Sequence, residues 1–175
     1  MRALMAAALA LTMATGAMAQ DMPESYRDVQ LRMLETQRAI LLAMADSMPE
    51  NLYRDKVTPI QRDFAQQIHH CASALAMIAS RYFEAPRPEL PDTATTFNSR
   101  AGLKAYVNGA YDFAAGILKN QPAEDRETVV SFFGGMEIPK WQVWDEVHQH
   151  TMWTAGQVVA NFRKHGMAPP AFLFF

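Results

Sequence analysis

Apolar positions recur with a helical period in four long stretches of the chain, each closed by proline or glycine. The first runs from Glu24 to Met48. Val29, Met33, Ile40, Leu41, Met44 and Met48 fall at helical spacing along it, and Pro49 stops it. The second runs from Ile60 to Phe83, behind Thr58-Pro59, a capping residue followed by proline in the first turn. Its stripe is Phe64, Ile68, Cys71, Leu75, Ile78 and Tyr82. The third starts at Asn98 or Ser99 and ends near Asn120, with Leu103, Val107, Ala110, Ala114 and Ile117 inward. The fourth opens at Pro139 and runs to His165. Gly166 stands where a C-terminal cap belongs, and Pro169-Pro170 bars continuation. Trp141, Trp144, Val147, Ala155, Val158 and Phe162 make its wide apolar arc.

The connections are read from their breakers. Pro86, Pro88 and Pro91 predict a loop without regular structure from Ala85 to Phe97. Thr128 to Phe133 leads into Gly134-Gly135, a flexible break, and Phe132-Phe133 reads equally as a short strand or a helical turn. Four long helices with no convincing strand predict an all-α fold, an up-and-down four-helix bundle with crossover loops.

The N-terminus changes the compartment. Arg2 precedes an apolar run from Ala3 to Ala14, and Ala17-Met18-Ala19 is a small-x-small cleavage site. A signal peptide over residues 1–19 and a single helical domain over 20–175 follow, with a periplasmic or secreted location. The apolar run is shorter than the roughly 20 residues a membrane span needs, and no span is expected after cleavage. A net charge of −2 gives no basis for nucleic-acid capture. Cys71 is the only cysteine, so no intramolecular disulfide is possible and stability rests on packing.

The candidate chemistry is sparse. His69 shares a stripe with Arg62, Ser73 and Ser80 and reads as solvent-facing. His70 neighbours Gln67, Ala74 and Met77, and reads as a core histidine bonded to a carbonyl or as a ligand. His150 shares a face with Glu146, Thr154, Gln157 and Asn161, which reads as a solvated face or as a polar pocket. Cys71 falls on the core stripe, where burial makes a thiol inert. His148 belongs to the apolar arc, and His165 sits where a cation favours the helix dipole. Phosphate loop, nucleophile elbow, Cys-x-x-Cys and His-Glu-x-x-His patterns are all missing, and no catalytic residue is named by the sequence.

Three segments carry a family resemblance. The run from Gly156 to Pro170, with Arg163, Gly166 and Pro169-Pro170, resembles the ending of the DinB/YfiT-like four-helix-bundle proteins. Arg38 to Met44 followed by Met48-Pro49-Glu50 is similar to their opening, and Phe64 to Ala72 to their second helix. The resemblance spans most of the domain. It implies a four-helix bundle, often a homodimer, holding one divalent metal (Zn, Ni or Mn) by three histidines: one on the second helix and an i, i+4 pair on the last. Carried over residue by residue, His70 matches the first ligand and His150 the second, while Thr154 stands where the third histidine belongs. A hydroxyl is a poor ligand for Zn or Ni beside imidazole. Glu146, one turn before His150, is the alternative third ligand. The expectation is therefore an exported binding protein or degenerate family member with an incomplete metal site and an unknown small-molecule ligand. The alternative is a metal-dependent hydrolase or transferase using His70 and His150 with a non-histidine third ligand.

Overall fold

The computed structural model describes residues 25–173; the expected leader at 1–19 lies outside them. The described chain is mostly helical, in keeping with the all-α expectation, with one small two-stranded sheet.

Helix α1 covers Tyr26–Ser47, and the Ser25 hydroxyl accepts from the Asp28 amide at its start. Helix α2 covers Phe64–Tyr82 and begins later than Thr58-Pro59 predicts. The start signal is a reciprocal capping box. The Asp63 carboxylate accepts from the Gln66 amide at 2.8 Å, and the Gln66 side chain accepts from the Asp63 amide at 3.1 Å. Ile60 is left 97% exposed.

The loop expected from Ala85 to Phe97 contains a short helix, α3, over Thr93–Asn98. It forms because all three prolines precede it, and Asp92 caps it by accepting from the Thr95 amide at 2.7 Å. Ser99 leaves helical geometry and caps the next helix, α4, Arg100–Asn120, by accepting from the Gly102 amide. The bend is tight: a Cβ on Gly102 would lie 2.3 Å from the Thr95 carbonyl oxygen.

The connector after α4 is a strand hairpin, which corrects the expectation of no convincing strand. Strand β1, Val129–Phe132, pairs antiparallel with β2, Met136–Pro139, with Val130 opposite Ile138. Gly134 and Gly135 turn it at φ +77° and +82°, a region closed to most side chains. Helix α5, Lys140–Lys164, follows directly and ends with Gly166 at φ +69°, the left-handed cap anticipated there.

α4 packs against both α1 and α2, and α5 does the same from the other side, while α1 and α2 scarcely touch. The stripe expected for α2 is buried throughout, and so are Leu103, Val107, Ala110 and Ala114 on α4 and Trp144, Val147, Ala155, Val158 and Phe162 on α5. Each large apolar side chain buried in this way contributes roughly 1.5–3 kcal/mol.

α1 departs from its expected stripe. Val29 and Met33 are half-buried, whereas Gln30, Leu34 and Gln37 are in the core. Polar pairing explains the shift. Gln30 donates to Asp145 at 2.8 Å and its amide oxygen meets the ring of buried His148. Gln37 donates to the His148 carbonyl at 3.4 Å. Near the end of the described chain Phe172 and Leu173 are 57% and 42% exposed. No helix among the described residues is long and apolar enough to cross a membrane.

Candidate functional site

α2 and α5 lie side by side, and their contact brings His70 and His150 together. The two rings meet edge to face with centroids 5.1 Å apart. Both are half-buried, and neither makes a hydrogen bond among the described residues. One turn earlier on α2, Gln67 fixes the register. Its amide donates to the Thr154 carbonyl at 3.4 Å and to Gln157 at 3.2 Å. Thr154 is buried at this seam.

The electrostatics keep the imidazoles neutral. Burial, then the Arg62 guanidinium and the neighbouring His150 and His69, hold His70 down at about 4. Burial and Arg62 lower His150 in the same sense. Neutral imidazole is the form that binds a metal ion. The donor set is short, however. Among the described residues no group of three or more His, Cys, Asp or Glu is arranged to hold a metal ion. Glu146 accepts from Gln142 at 3.3 Å, one turn along α5 from His150. The Arg62 charge disfavours added positive charge on both rings. Among the described residues the arrangement offers two imidazole lone pairs and no third donor grouped with them.

Two clefts flank the pair. On the α5 side, Glu146, Gln149, His150 and Trp153 face Ile78, Phe132 and Phe133 across a space of about 380 Å³. Trp153 is 77% exposed there. On the α2 side, His70 lines a cleft of about 540 Å³ shared with His69, Tyr106 and the proline-rich segment.

His69 is the clearest correction among the histidines. It is half-buried rather than fully solvent-facing: its ring centroid lies 4.3 Å from that of Tyr106 and 5.1 Å from that of Phe97, at the edge of the α2-side cleft, and burial lowers its pKa. The helical wheel assigned its face without the α3 segment that covers it. His148 is buried as read, held down at about 4 by burial. Cys71 is buried, and burial pushes its thiol up to about 12. His165 meets Asp55 at 2.7 Å at the end of α5. Gln67 and Arg62, which sequence reasoning did not single out for the site, touch or bias the pair. Gln67 lies one turn from His70 at i−3, which was the available signal. Compared with known proteins, the chain matches no family model and no curated sequence.

Proposed function

We propose that this chain is an exported DinB-like four-helix bundle that serves as a binding protein, with His70 and His150 as the two remaining ligands of a degenerate divalent-metal site. The observation that carries this reading is the 5.1 Å approach of the two rings from different helices. Thr154 stands one turn beyond His150, where a third imidazole would complete the set. With two neutral donors and a nearby guanidinium, metal binding is weak, and the site holds ligand rather than activating water.

The test is elemental analysis of the purified protein with calorimetric titration of Zn, Ni and Mn. Weak uptake is expected, abolished in both His70→Ala and His150→Ala and strengthened in Thr154→His. Uptake indifferent to both alanine variants would overturn the reading. A second reading, a metal-dependent hydrolase or transferase, draws on Glu146 and His150 lining one cleft. It requires tight stoichiometric metal in the wild-type protein and its loss in Glu146→Gln.

A further inference from the structure

The cleft on the far side of His70 has features that the metal reading does not use. Its floor is the α2 face carrying His69, Ala74 and Met77; its far wall is Tyr106 on α4; its roof is the segment from Arg87 to Thr93. The roof is seated by a glycine. A Cβ on Gly109 would come 2.6 Å from the Leu90 Cδ2, so the Leu90 side chain would have to shift if this residue had a side chain. The space of about 540 Å³ is within the range of small-molecule sites.

Its polar groups are few and convergent. The Tyr106 side chain is buried, and its hydroxyl makes no hydrogen bond among the described residues. His69 packs against Tyr106 ring to ring, with both of its nitrogens unpaired among the described residues. Arg87 is the cation lining the cleft, and it has no carboxylate partner among the described residues. The one carboxylate on the rim, Asp92, is committed to the Thr95 amide. Arg87 and Tyr106 line the same cleft, where burial raises the Tyr106 pKa and the Arg87 charge lowers it. Leu90, Met77, Pro88 and Ala74 supply apolar lining, and Ser73, Thr93 and His70 complete the polar part of the wall.

We propose that this cleft binds a small molecule with one carboxylate on an apolar body, Arg87 and the Tyr106 hydroxyl taking the carboxylate while Leu90 and Met77 hold the body. One guanidinium matches a monoanion better than a doubly charged phosphate, and a guanidinium takes a carboxylate through two parallel hydrogen bonds. His69 borders the head group as a neutral donor or acceptor. His70 borders this cleft as well as the paired-imidazole site, but the proposal uses Arg87 and Tyr106, and His150 and Glu146 line the other cleft.

The experiment is an NMR titration of the metal-free full chain with hexanoate, hexanamide and hexylamine, and separately with inorganic phosphate, following the His69 ring protons. Hexanoate should move these signals saturably at millimolar concentration. Hexanamide should bind more weakly and hexylamine not at all. Arg87→Gln, at an exposed position that leaves the fold intact, should weaken hexanoate about tenfold while leaving hexanamide unchanged, the loss of roughly one charge-assisted contact. Tyr106→Phe should weaken hexanoate less. His150→Ala should leave binding as it is, which separates this cleft from the metal reading. Three results would overturn the proposal: equal shifts with hexylamine, hexanoate affinity indifferent to Arg87→Gln, or phosphate binding tighter than hexanoate.

Discussion

Replacing Gly102 by alanine tests how closely α3 is pressed onto α4. The added methyl carbon would lie 2.3 Å from the Thr95 carbonyl oxygen, 2.7 Å from the Thr95 carbonyl carbon and 2.8 Å from the Ser99 hydroxyl. Two of these atoms are backbone and cannot rotate away. The third caps α4, accepting from the Gly102 amide at 3.0 Å and donating to the Thr95 carbonyl at 3.1 Å. Overpacking of this kind costs about 1–3 kcal/mol, and a lost cap about 1 kcal/mol. Alanine returns roughly 1 kcal/mol of helix propensity over glycine. The net expectation is a destabilisation of about 1–3 kcal/mol, the balance of those same terms. Gly116, on the same helix, is the control, since a Cβ there meets nothing within 4 Å. Gly116→Ala should stabilise by about 0.5–1 kcal/mol. Urea denaturation followed by far-ultraviolet circular dichroism measures both, with the slope of the transition checking that the unfolded state is unchanged. Because one chemical change is made twice in one helix, propensity alone predicts the same sign for both. A Gly102→Ala protein as stable as wild type would refute the close packing that sets Phe97 against His69.

Two further changes probe the core. Gln30→Leu should destabilise by about 1–3 kcal/mol in the same denaturation assay, because it leaves the buried His148 ring and Asp145 without their shared amide; a neutral effect would mean that the polar seam between α1 and α5 adds nothing. Cys71 should resist an aromatic disulfide reagent in the folded protein at mildly alkaline pH and react fully after unfolding, and rapid labelling of the native state would contradict its burial.

Legibility in the sequence followed amphipathicity. α2, α4 and α5 each have one apolar stripe facing one core, so periodicity found their faces and nearly their ends. α1 was misread where glutamines replace apolar residues. Gln30 and Gln37 are buried by pairing with residues of α5 more than a hundred positions away, and no local pattern encodes that. α3 was hidden by the prolines before it, although Asp92-Thr93 was a readable cap. The hairpin was hidden by its shortness, its two strands having four residues each. For the site, His70 and His150 were legible one at a time, but their approach depends on α2 packing on α5. His69 was misassigned for the same reason in reverse: its covering residues, Phe97 and Tyr106, come from other elements.

The near-absence of contact between α1 and α2 has a consequence for the order of assembly. The side-chain hydrogen bonds that α1 sends to α5, from Tyr26, Gln30 and Gln37, reach across sequence separations of 115, 115 and 111 residues. During synthesis the first long helix emerges with nothing nearby to dock on, while α2, α3 and α4 can close on one another over short loops. Long loops are slow to close, so α1 docks after α2 and α4 have met. In refolding followed by pulsed hydrogen exchange, the amides of α2 and α4 should gain protection before those of α1, and early protection of α1 would contradict this order. Until α4 has been made, α1 has no long helix to pack on, and its hydrogen bonds to α5 must wait for the end of the chain.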